Sequence, residues 1–291
     1  MRIGRTTRTR RNHLMAINRL NDKVEVWQCA EWMGDCHISH FSTTRFGGVS
    51  QGAFGGMNAG RYTDDDPTHV QQNVEWLCEA LHLSPERLLM PHQTHGTCIR
   101  KVDASFLQET KRAQEEALEG VDALATDVPG VCVAVSTADC VPVLLYAPDK
   151  QVVAAVHAGW RGVVQGIVPR TVAFCRAEYG CDASQMEAVI GPSISQAAFE
   201  VGEEVVEQFR QSQAWTKEDT ESLFRKHPET GKTHIDLWRG VQLQLCQEGL
   251  VENRIHLAGI CTYQQADRFF SARRLGIRSG RILSGIWLHA R

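Results

Sequence analysis

The chain has 291 residues, of which 43% are hydrophobic and 22% charged, enough for one large domain or two modest ones with a sizeable core. The formal charge is −3, and subtracting the five arginines among the first eleven residues leaves −8 for the rest. That negative balance argues against a nucleic-acid surface, and no run of about 18 apolar residues is present to span a bilayer. We therefore expect a soluble globular protein that binds neither nucleic acid nor membrane.

The basic beginning of the chain lacks the apolar segment of a secretory signal. We predict a disordered extension over residues 1–24, or a translation start at Met15, and a single domain over residues 25–291. Ten cysteines occur without a C-x-x-C pair, and several, such as Cys132 and Cys175, lie in apolar runs where a reduced thiol packs as a small hydrophobe. This usage is typical of the cytoplasm.

The stretch "DPTHVQQNVEWLCEALHL" predicts an amphipathic helix, with Asp66 as N-cap and Pro67 in the first turn. Residues 105–120 are rich in charge and predict a solvated helix or an insertion. Between residues 121 and 162 three β-rich runs follow, at 131–137, 142–147 and 152–157, separated by turn signals. These runs predict the centre of a sheet.

After the third run, a helix is expected from Trp160 to Glu178, closed by Gly180 and kinked or split by Pro169. The last third interleaves further elements: strands are predicted at 186–190, 254–260 and 282–288, and helices at 202–213 and 237–249, with Asp236 as a cap. The alternation predicts an α/β (mixed α+β) single domain in which mixed β-sheets are layered with helices.

Three reactive side chains lie where predicted strands end in loops: His95, Cys140 and His157. The interval from 140 to 157 spans one predicted hairpin, so Cys140 and His157 are expected at neighbouring strand ends, with His95 coming from elsewhere in the fold. Two imidazoles and a thiolate form a three-ligand zinc set that leaves a fourth position open. The spacing alone also permits a buried thiol and two turn histidines. It equally permits a metal-free site with Cys140 as nucleophile and His157 as base, near Asp139.

Several segments occur in order between about Ser39 and Leu288: "FSTTRFGGVSQGAFGGMNAG", "HQTHG", "STADCVPVLLY", "AAVHAGWRG", "IGPSISQAAFEVG", "RIHLAGICTY" and "FFSARR…SGRILSGIWL". Together they resemble the YfiH-like, laccase-domain (polyphenol oxidase) family. The resemblance implies a metal-binding and catalytic triad of His95, Cys140 and His157, and leaves His92 as an orienting or turn residue.

For activity, the resemblance implies phosphorolysis of purine nucleosides (adenosine, inosine, methylthioadenosine) and deamination of adenosine, with zinc as cofactor and copper as the alternative. Phosphorolysis also needs an anion contact. Arg161 at the start of a helix and Arg45 beside a glycine pair are the expected substrate-binding residues. Each arginine, taken singly, also suits an ordinary surface or ion-pair role.

One position departs from the family pattern, because Val74 follows Asn73 where relatives usually carry arginine. If that arginine contacts substrate in relatives, the contact is lost or relocated here, so the physiological substrate stays open, as does the oligomeric state.

Three rival functions remain at this point. A multi-copper oxidase is disfavoured because no His-x-His pair occurs in the sequence, although one Cys-His-His set suits a single copper. As an alternative, the resemblance also implies a cysteine or zinc hydrolase that edits a peptidoglycan precursor with the same three residues. A binding module would need a closed four-ligand zinc site, and no fourth ligand is evident at short spacing.

Overall fold

The computed structural model describes residues 16–290. Its first strand, Ala16–Arg19, pairs antiparallel with Val24–Gln28, with Ile17 opposite Trp27. The predicted disordered extension over residues 1–24 is therefore wrong for its last part, because backbone pairing orders that segment. Residues 1–15 lie outside the described residues.

Fifteen β-strands lie within the described range: β1 (Ala16–Arg19), β2 (Val24–Gln28), β3 (Ile38–Gly47), β4 (Leu88–Leu89), β5 (Ile99–Lys101), β6 (Ala123–Thr126), β7 (Cys132–Thr137), β8 (Val141–Ala147), β9 (Val152–Ala158), β10 (Glu187–Ile190), β11 (Glu200–Val201), β12 (Phe224–Lys226), β13 (Thr233–Ile235), β14 (Ile255–Leu257) and β15 (Ile282–Leu288). Eight α-helices accompany them in the same range: α1 (Pro67–Leu81), α2 (Lys111–Ala117), α3 (Trp160–Val164), α4 (Ile167–Tyr179), α5 (Glu203–Gln211), α6 (Lys217–Ser222), α7 (Leu237–Gln247) and α8 (Ala272–Leu275).

The strands form two six-stranded mixed sheets and a small three-stranded one. The first sheet has the order β1-β2-β3-β15-β7-β4, the second β14-β10-β8-β9-β6-β5, and the small sheet β11-β13-β12. Within the two large sheets, the parallel pairs are β4 with β7, β5 with β6 and β10 with β14, and the other pairs are antiparallel. This confirms the predicted mixed fold.

Strand alternation distributes the core over both faces of the second sheet. In β8, Val143 and Leu145 pack in the cluster shared with α4 and α7, whereas Leu144 and Tyr146 pack in the cluster shared with the first sheet. Successive side chains of a strand point to opposite faces, so one strand supplies both layers. A third cluster covers the outer face of the first sheet with α1. The result is two sheets face to face with helices outside.

The strongly patterned elements lie where they were predicted. Helix α1 begins at Pro67, and the Asp66 carboxylate accepts a hydrogen bond from the amide of Thr68. The three central strands are β7, β8 and β9, and every residue of β8 and β9 is buried. The charged segment 105–120 contains the short helix α2, and its surface is largely exposed, in agreement with a solvated helix.

The predicted helix from Trp160 is split, but not by proline. Gly166, with φ +78°, separates α3 from α4. Pro169 lies in the first turn of α4, where the backbone N–H has no helical partner and proline costs little. A residue with φ > 0 interrupts the right-handed helix, and glycine occupies this position because it adopts that conformation without strain.

No helix among residues 16–290 is long and apolar enough to cross a membrane.

Candidate metal centre

Cys140 and His157 are brought together by the β8–β9 hairpin. The antiparallel register places Pro142 opposite His157 and Val141 opposite Ala158, so the residue just before β8 lies beside the end of β9. The prediction that residues 140 and 157 span one hairpin is confirmed. Because both strands are buried along their whole length, this part of the site rests on a rigid base.

The turn that presents Cys140 is held by Asp139, which has φ +89°. Its carboxylate accepts hydrogen bonds from Thr262 Oγ1 at 2.6 Å and from the backbone N–H of Arg273 at 2.7 Å. Both carboxylate oxygens are thus engaged with the segment after β14. Asp139 therefore shapes the turn and does not orient His157.

The third residue, His95, lies in a loop that is clamped to the first sheet. The side chain of Gln93 donates to the carbonyl of Ser136 at 2.8 Å and accepts from its N–H at 2.7 Å. His95 itself has φ +63°, in the left-handed region that non-glycine residues seldom occupy. This conformation is maintained by contacts of its own backbone with a buried carboxylate.

That carboxylate belongs to Asp122, which the sequence reasoning missed. Asp122 is fully buried, and it accepts from the N–H groups of His95 (3.0 Å) and Gly96 (2.7 Å), with Thr94 at 3.3 Å. Its Oδ1 also lies 2.7 Å from His157 Nδ1. One side chain therefore connects the His95 loop with the end of β9.

The three predicted residues form one cluster. Their ligand atoms lie within 4.8 Å of one another, with Cys140 Sγ 3.8 Å from His95 Nε2. The imidazole rings of His95 and His157 are edge-to-face, with centroids 4.7 Å apart. His157 is buried, Cys140 is half-buried and His95 is exposed, so the cluster opens to solvent on the His95 side.

The donor set and its surroundings suit a metal ion. With Asp122 on Nδ1, His157 carries its proton there and presents the lone pair of Nε2, which is the usual carboxylate–histidine arrangement of metal ligands. Space beside the cluster is kept by Gly159: a Cβ at this position would lie 2.7 Å from His95 Cδ2 and 3.1 Å from Cys140 Sγ.

The electrostatics of the metal-free chain favour a thiolate at Cys140. Burial alone raises a thiol pKa, but the charge of His157 and hydrogen bonds from both histidines lower the pKa of Cys140 to about 6. Burial likewise lowers the pKa of His157, yet the thiolate and Asp122 raise it to about 9. A preformed thiolate is the form that binds metal.

Arg45, predicted to bind substrate, has its guanidinium directed at backbone. It donates to the carbonyls of Ala266 (2.5 Å) and Gly55 (3.1 Å) and lies over the ring of Phe270. Its Nε is buried and has no partner in the described part of the chain. Arg45 thus ties two loops together, and substrate binding by this residue stays a prediction.

Arg161, the other predicted anion ligand, lies at the start of α3 as expected. Its side chain is exposed, and its guanidinium lies 4.3 Å from the ring centroid of Trp160. Helix α3 has five residues, so its dipole is weaker than that of the longer predicted helix. Within residues 16–290 the guanidinium makes no ion pair or hydrogen bond, which leaves its donors available.

His92 lies outside the cluster. Its Nδ1 is 2.7 Å from Glu119 Oε1, and Tyr62 stacks on its ring with centroids 4.2 Å apart.

Position 74, where relatives usually carry arginine, lies in the hydrophobic core, since Val74 is fully buried beneath α1. Its neighbour Asn73 instead uses its side chain to bond the loop at Val49 and Asn58.

A further arginine, Arg281, lies just before β15 and acts electrostatically on the cluster. The charges of Cys140 and Asp139 act on Arg281, whose pKa is lowered by burial in spite of them. Its guanidinium donates to the carbonyls of Ile277, Ser279 and Gly280. It therefore holds the backbone before β15 while placing positive charge near the thiolate.

Comparison with known proteins shows which family the chain belongs to. Residues 39–289 match the family described as multi-copper polyphenol oxidoreductase laccase. The chain belongs to this family. The predicted resemblance is thereby confirmed over the same part of the sequence, and the three clustered residues all lie within the matched range.

Several known proteins are similar to the chain over most of their length. A purine nucleoside phosphorylase from Bacteroides thetaiotaomicron is 46% identical over 253 residues, covering 87% of this chain and 92% of that protein. An adenosine deaminase from an unknown prokaryotic organism is 38% identical, covering 86% and 94%. The crystal structure of YlmD from Geobacillus stearothermophilus matches with a TM-score of 0.83 at 31% identity, covering 95% of this chain and 100% of that one.

Proposed function

We propose that the chain is a zinc-dependent purine nucleoside phosphorylase that cleaves adenosine, inosine and methylthioadenosine with phosphate and also deaminates adenosine. The observation that carries the proposal is the solvent-open cluster of His95, Cys140 and His157, anchored by Asp122. Similarity to a protein named purine nucleoside phosphorylase and to one named adenosine deaminase supports both halves.

His95, Cys140 and His157 would hold the zinc, with the fourth position facing solvent. Zinc held there would supply a Lewis acid toward the substrate or an attacking water. Asp122 keeps the proton of His157 on Nδ1 and fixes the His95 loop through three backbone N–H groups. The same donor set also binds copper, so metal analysis of the purified protein must decide between the two metals.

Phosphorolysis requires a cation for the phosphate, and Arg161 is the residue we propose for it. Its guanidinium is exposed and unpaired within the described residues, two residues beyond Gly159 at the edge of the cluster. Arginine binds phosphate through paired donors, which gives both strength and orientation.

The proposal is tested by incubating the zinc-loaded protein with inosine and phosphate, and separately with adenosine, and separating the products by chromatography. We expect free base and ribose 1-phosphate in the first case and inosine in the second. Cys140→Ser should abolish both reactions, whereas Cys246→Ser, an exposed cysteine on α7, should leave both intact. Absence of both reactions from zinc-loaded protein would refute the proposal.

The variant Arg161→Ala distinguishes phosphate binding from nucleoside deamination and zinc binding. Loss of one charge-assisted contact should reduce phosphorolysis about ten- to a hundred-fold, while adenosine deamination falls less and zinc content stays normal. Equal loss of both reactions with zinc retained would show that Arg161 positions the nucleoside or supports the fold.

A second candidate function is favoured by one distance. Asp122 Oδ1 lies 2.7 Å from His157 Nδ1 beside Cys140, which is the order of groups in a Cys-His-Asp nucleophilic site. Such a site would serve as a metal-free hydrolase, with a mis-incorporated serine in a cell-wall precursor as the target. Amide hydrolysis that persists after complete chelation of metal would favour this candidate over the phosphorylase.

We place the reaction in the cytoplasm. None of the ten cysteines forms a disulfide, and burial raises the pKa of six of them, Cys29, Cys78, Cys132, Cys175, Cys181 and Cys246. The partners we propose are the nucleoside and phosphate.

A further inference from the structure

A second group of ligand-type side chains lies far from Cys140 in the sequence and at the junction of the two large sheets. Cys29 follows β2 of the first sheet, Glu31 lies in the 3-10 turn after it, and His256 is in β14 of the second sheet. Their ligand atoms lie within 4.8 Å of one another. We propose that Cys29, Glu31 and His256 form a second zinc-class metal site that joins the two sheets.

Tertiary structure, not chain connectivity, produces this group. Two of its members are near the beginning of the chain and the third is near its end. By contrast, the group Asp35, Cys36 and His37 consists of consecutive exposed residues, whose closeness follows from their adjacency. Convergence of a thiol, a carboxylate and an imidazole from two separate sheets is the stronger sign of a ligand site.

The backbone around Cys29 is held in place by buried neighbours. Its N–H donates to His40 Nε2 at 2.7 Å, and His40 packs edge-on against Trp32 with centroids 5.1 Å apart. The indole of Trp32 in turn donates to Glu187 Oε2 on β10 at 2.7 Å. The turn that carries Cys29 and Glu31 is thus fixed to the second sheet before any metal binds.

The distance between two of the three ligand atoms is compatible with zinc coordination. Cys29 Sγ lies 3.2 Å from Glu31 Oε2. A zinc ion with a Zn–S bond of about 2.3 Å and a Zn–O bond of about 2.1 Å brings two such ligand atoms to about 3.5 Å. The two atoms therefore need to move by only a few tenths of an ångström.

The donor atoms also suit zinc. Thiolate, carboxylate and imidazole are the three ligand types that zinc takes in proteins. The nearby Glu187 has its own partner, since Arg254 Nη1 is 3.6 Å from Glu187 Oε1. Glu187 Oε2 also lies 4.0 Å from His256 Nε2, which is a charge contact and longer than a hydrogen bond.

In the absence of metal, the thiol keeps its proton. Burial, followed by the hydrogen bond to Glu31 and its charge, raises the pKa of Cys29 to about 12. The site is separate from the proposed nucleoside chemistry, because it lies on other strands and shares no residue with the Cys140 cluster.

The test is zinc content of purified, zinc-loaded protein after removal of loosely bound metal. We expect two zinc ions per chain in the unmodified protein, and one in Cys29→Ser, in His256→Gln and in Cys140→Ser. Cys246→Ser, an exposed cysteine outside both clusters, should keep both. Unchanged zinc content in Cys29→Ser and His256→Gln would overturn the second site.

Because Cys29 is buried, its variant can fail to fold, and Glu31→Gln provides an independent measurement at an exposed position. In the Cys140→Ser background, added zinc should raise the melting temperature, and Glu31→Gln should abolish that rise. An undiminished rise in the double variant overturns the proposal. Inosine phosphorolysis should survive Cys29→Ser, so a failure of the second site is distinguishable from a failure of the proposed function.

Discussion

The two histidine–cysteine groups use similar ligands but are assembled in different ways. Around Cys140, a single hairpin supplies two of the three residues, and the buried carboxylate of Asp122 ties the third to them. Around Cys29, the ligands come from two sheets, and the junction is maintained by Trp32 and Glu187. The Cys140 group therefore depends on strand register and on the buried carboxylate of Asp122. The Cys29 group depends on how the two large sheets pack against each other.

The largest expected effect is loss of zinc on substitution of His95, in contrast to its neighbour His92. His95→Ala should remove zinc from the Cys140 group, because it takes away one of three ligands. His92→Ala should leave zinc content unchanged, since His92 bonds Glu119 and lies outside the group. Elemental analysis of both variants checks this. Equal zinc loss in both would mean that the wrong histidine was identified.

Acid should lower the free energy of unfolding through His40, the buried histidine that accepts a hydrogen bond from the N–H of Cys29. Burial lowers the pKa of His40 from 6.5 to about 4. Above pH 6.5 the His40 imidazole is neutral in both the folded and the unfolded state. As the pH falls from 6.5 toward 4, the imidazole becomes protonated in the unfolded state but stays neutral in the folded state. Stability should therefore fall across this window by roughly 3 kcal/mol, at about 1.4 kcal/mol per unit.

The comparison variant is His40→Gln, whose amide oxygen can still accept from the N–H of Cys29. Denaturant unfolding at a series of pH values should show a shallower decline between pH 6.5 and 4 in this variant than in the unmodified protein. His82→Gln, an exposed position, serves as control and should keep the full decline. Identical pH dependence in all three proteins would assign the acid sensitivity to other groups.

Asp122→Asn should weaken zinc binding about ten- to a hundred-fold, the usual effect of removing an outer carboxylate from a metal-bound histidine. The amide is nearly isosteric but replaces one acceptor oxygen with a donor, so the loss reports the charge at His157 Nδ1 together with the backbone hydrogen bonds of the His95 loop. Competitive titration with a chelator measures it. The exposed Asp127→Asn is a matched control with no expected change, and an Asp122→Asn affinity equal to that control would exclude the anchoring role.

The smallest effect concerns the space beside Cys140. Gly159 has φ −67° and ψ 160°, which alanine adopts without strain, but the added Cβ would lie 2.7 Å from His95 Cδ2. His95 is exposed and can rotate away, so Gly159→Ala should cost about 1 kcal/mol, the low end for overpacking. Thermal unfolding measures this cost, and weaker zinc retention at normal secondary structure would confirm that the ring has moved.

Strong local patterns predicted their elements well. Asp66-Pro67 and the apolar spacing after it marked α1, and the three apolar runs marked β7, β8 and β9. The split after Trp160 was predicted at Pro169 but occurs at Gly166. Proline in a first turn is harmless, and the sequence does not reveal which glycine takes a positive φ until the packing of the flanking segments is known.

By itself the sequence determined the hairpin, and hence the closeness of Cys140 and His157, because antiparallel pairing over a short turn is a local property. Together with the family resemblance, it also placed His95 in the group. Only the tertiary structure decided that Asp122 bonds both the His95 loop and His157, and that Cys29 meets His256. These contacts join segments far apart in sequence, and which of them form depends on the packing of whole sheets, which no local spacing encodes.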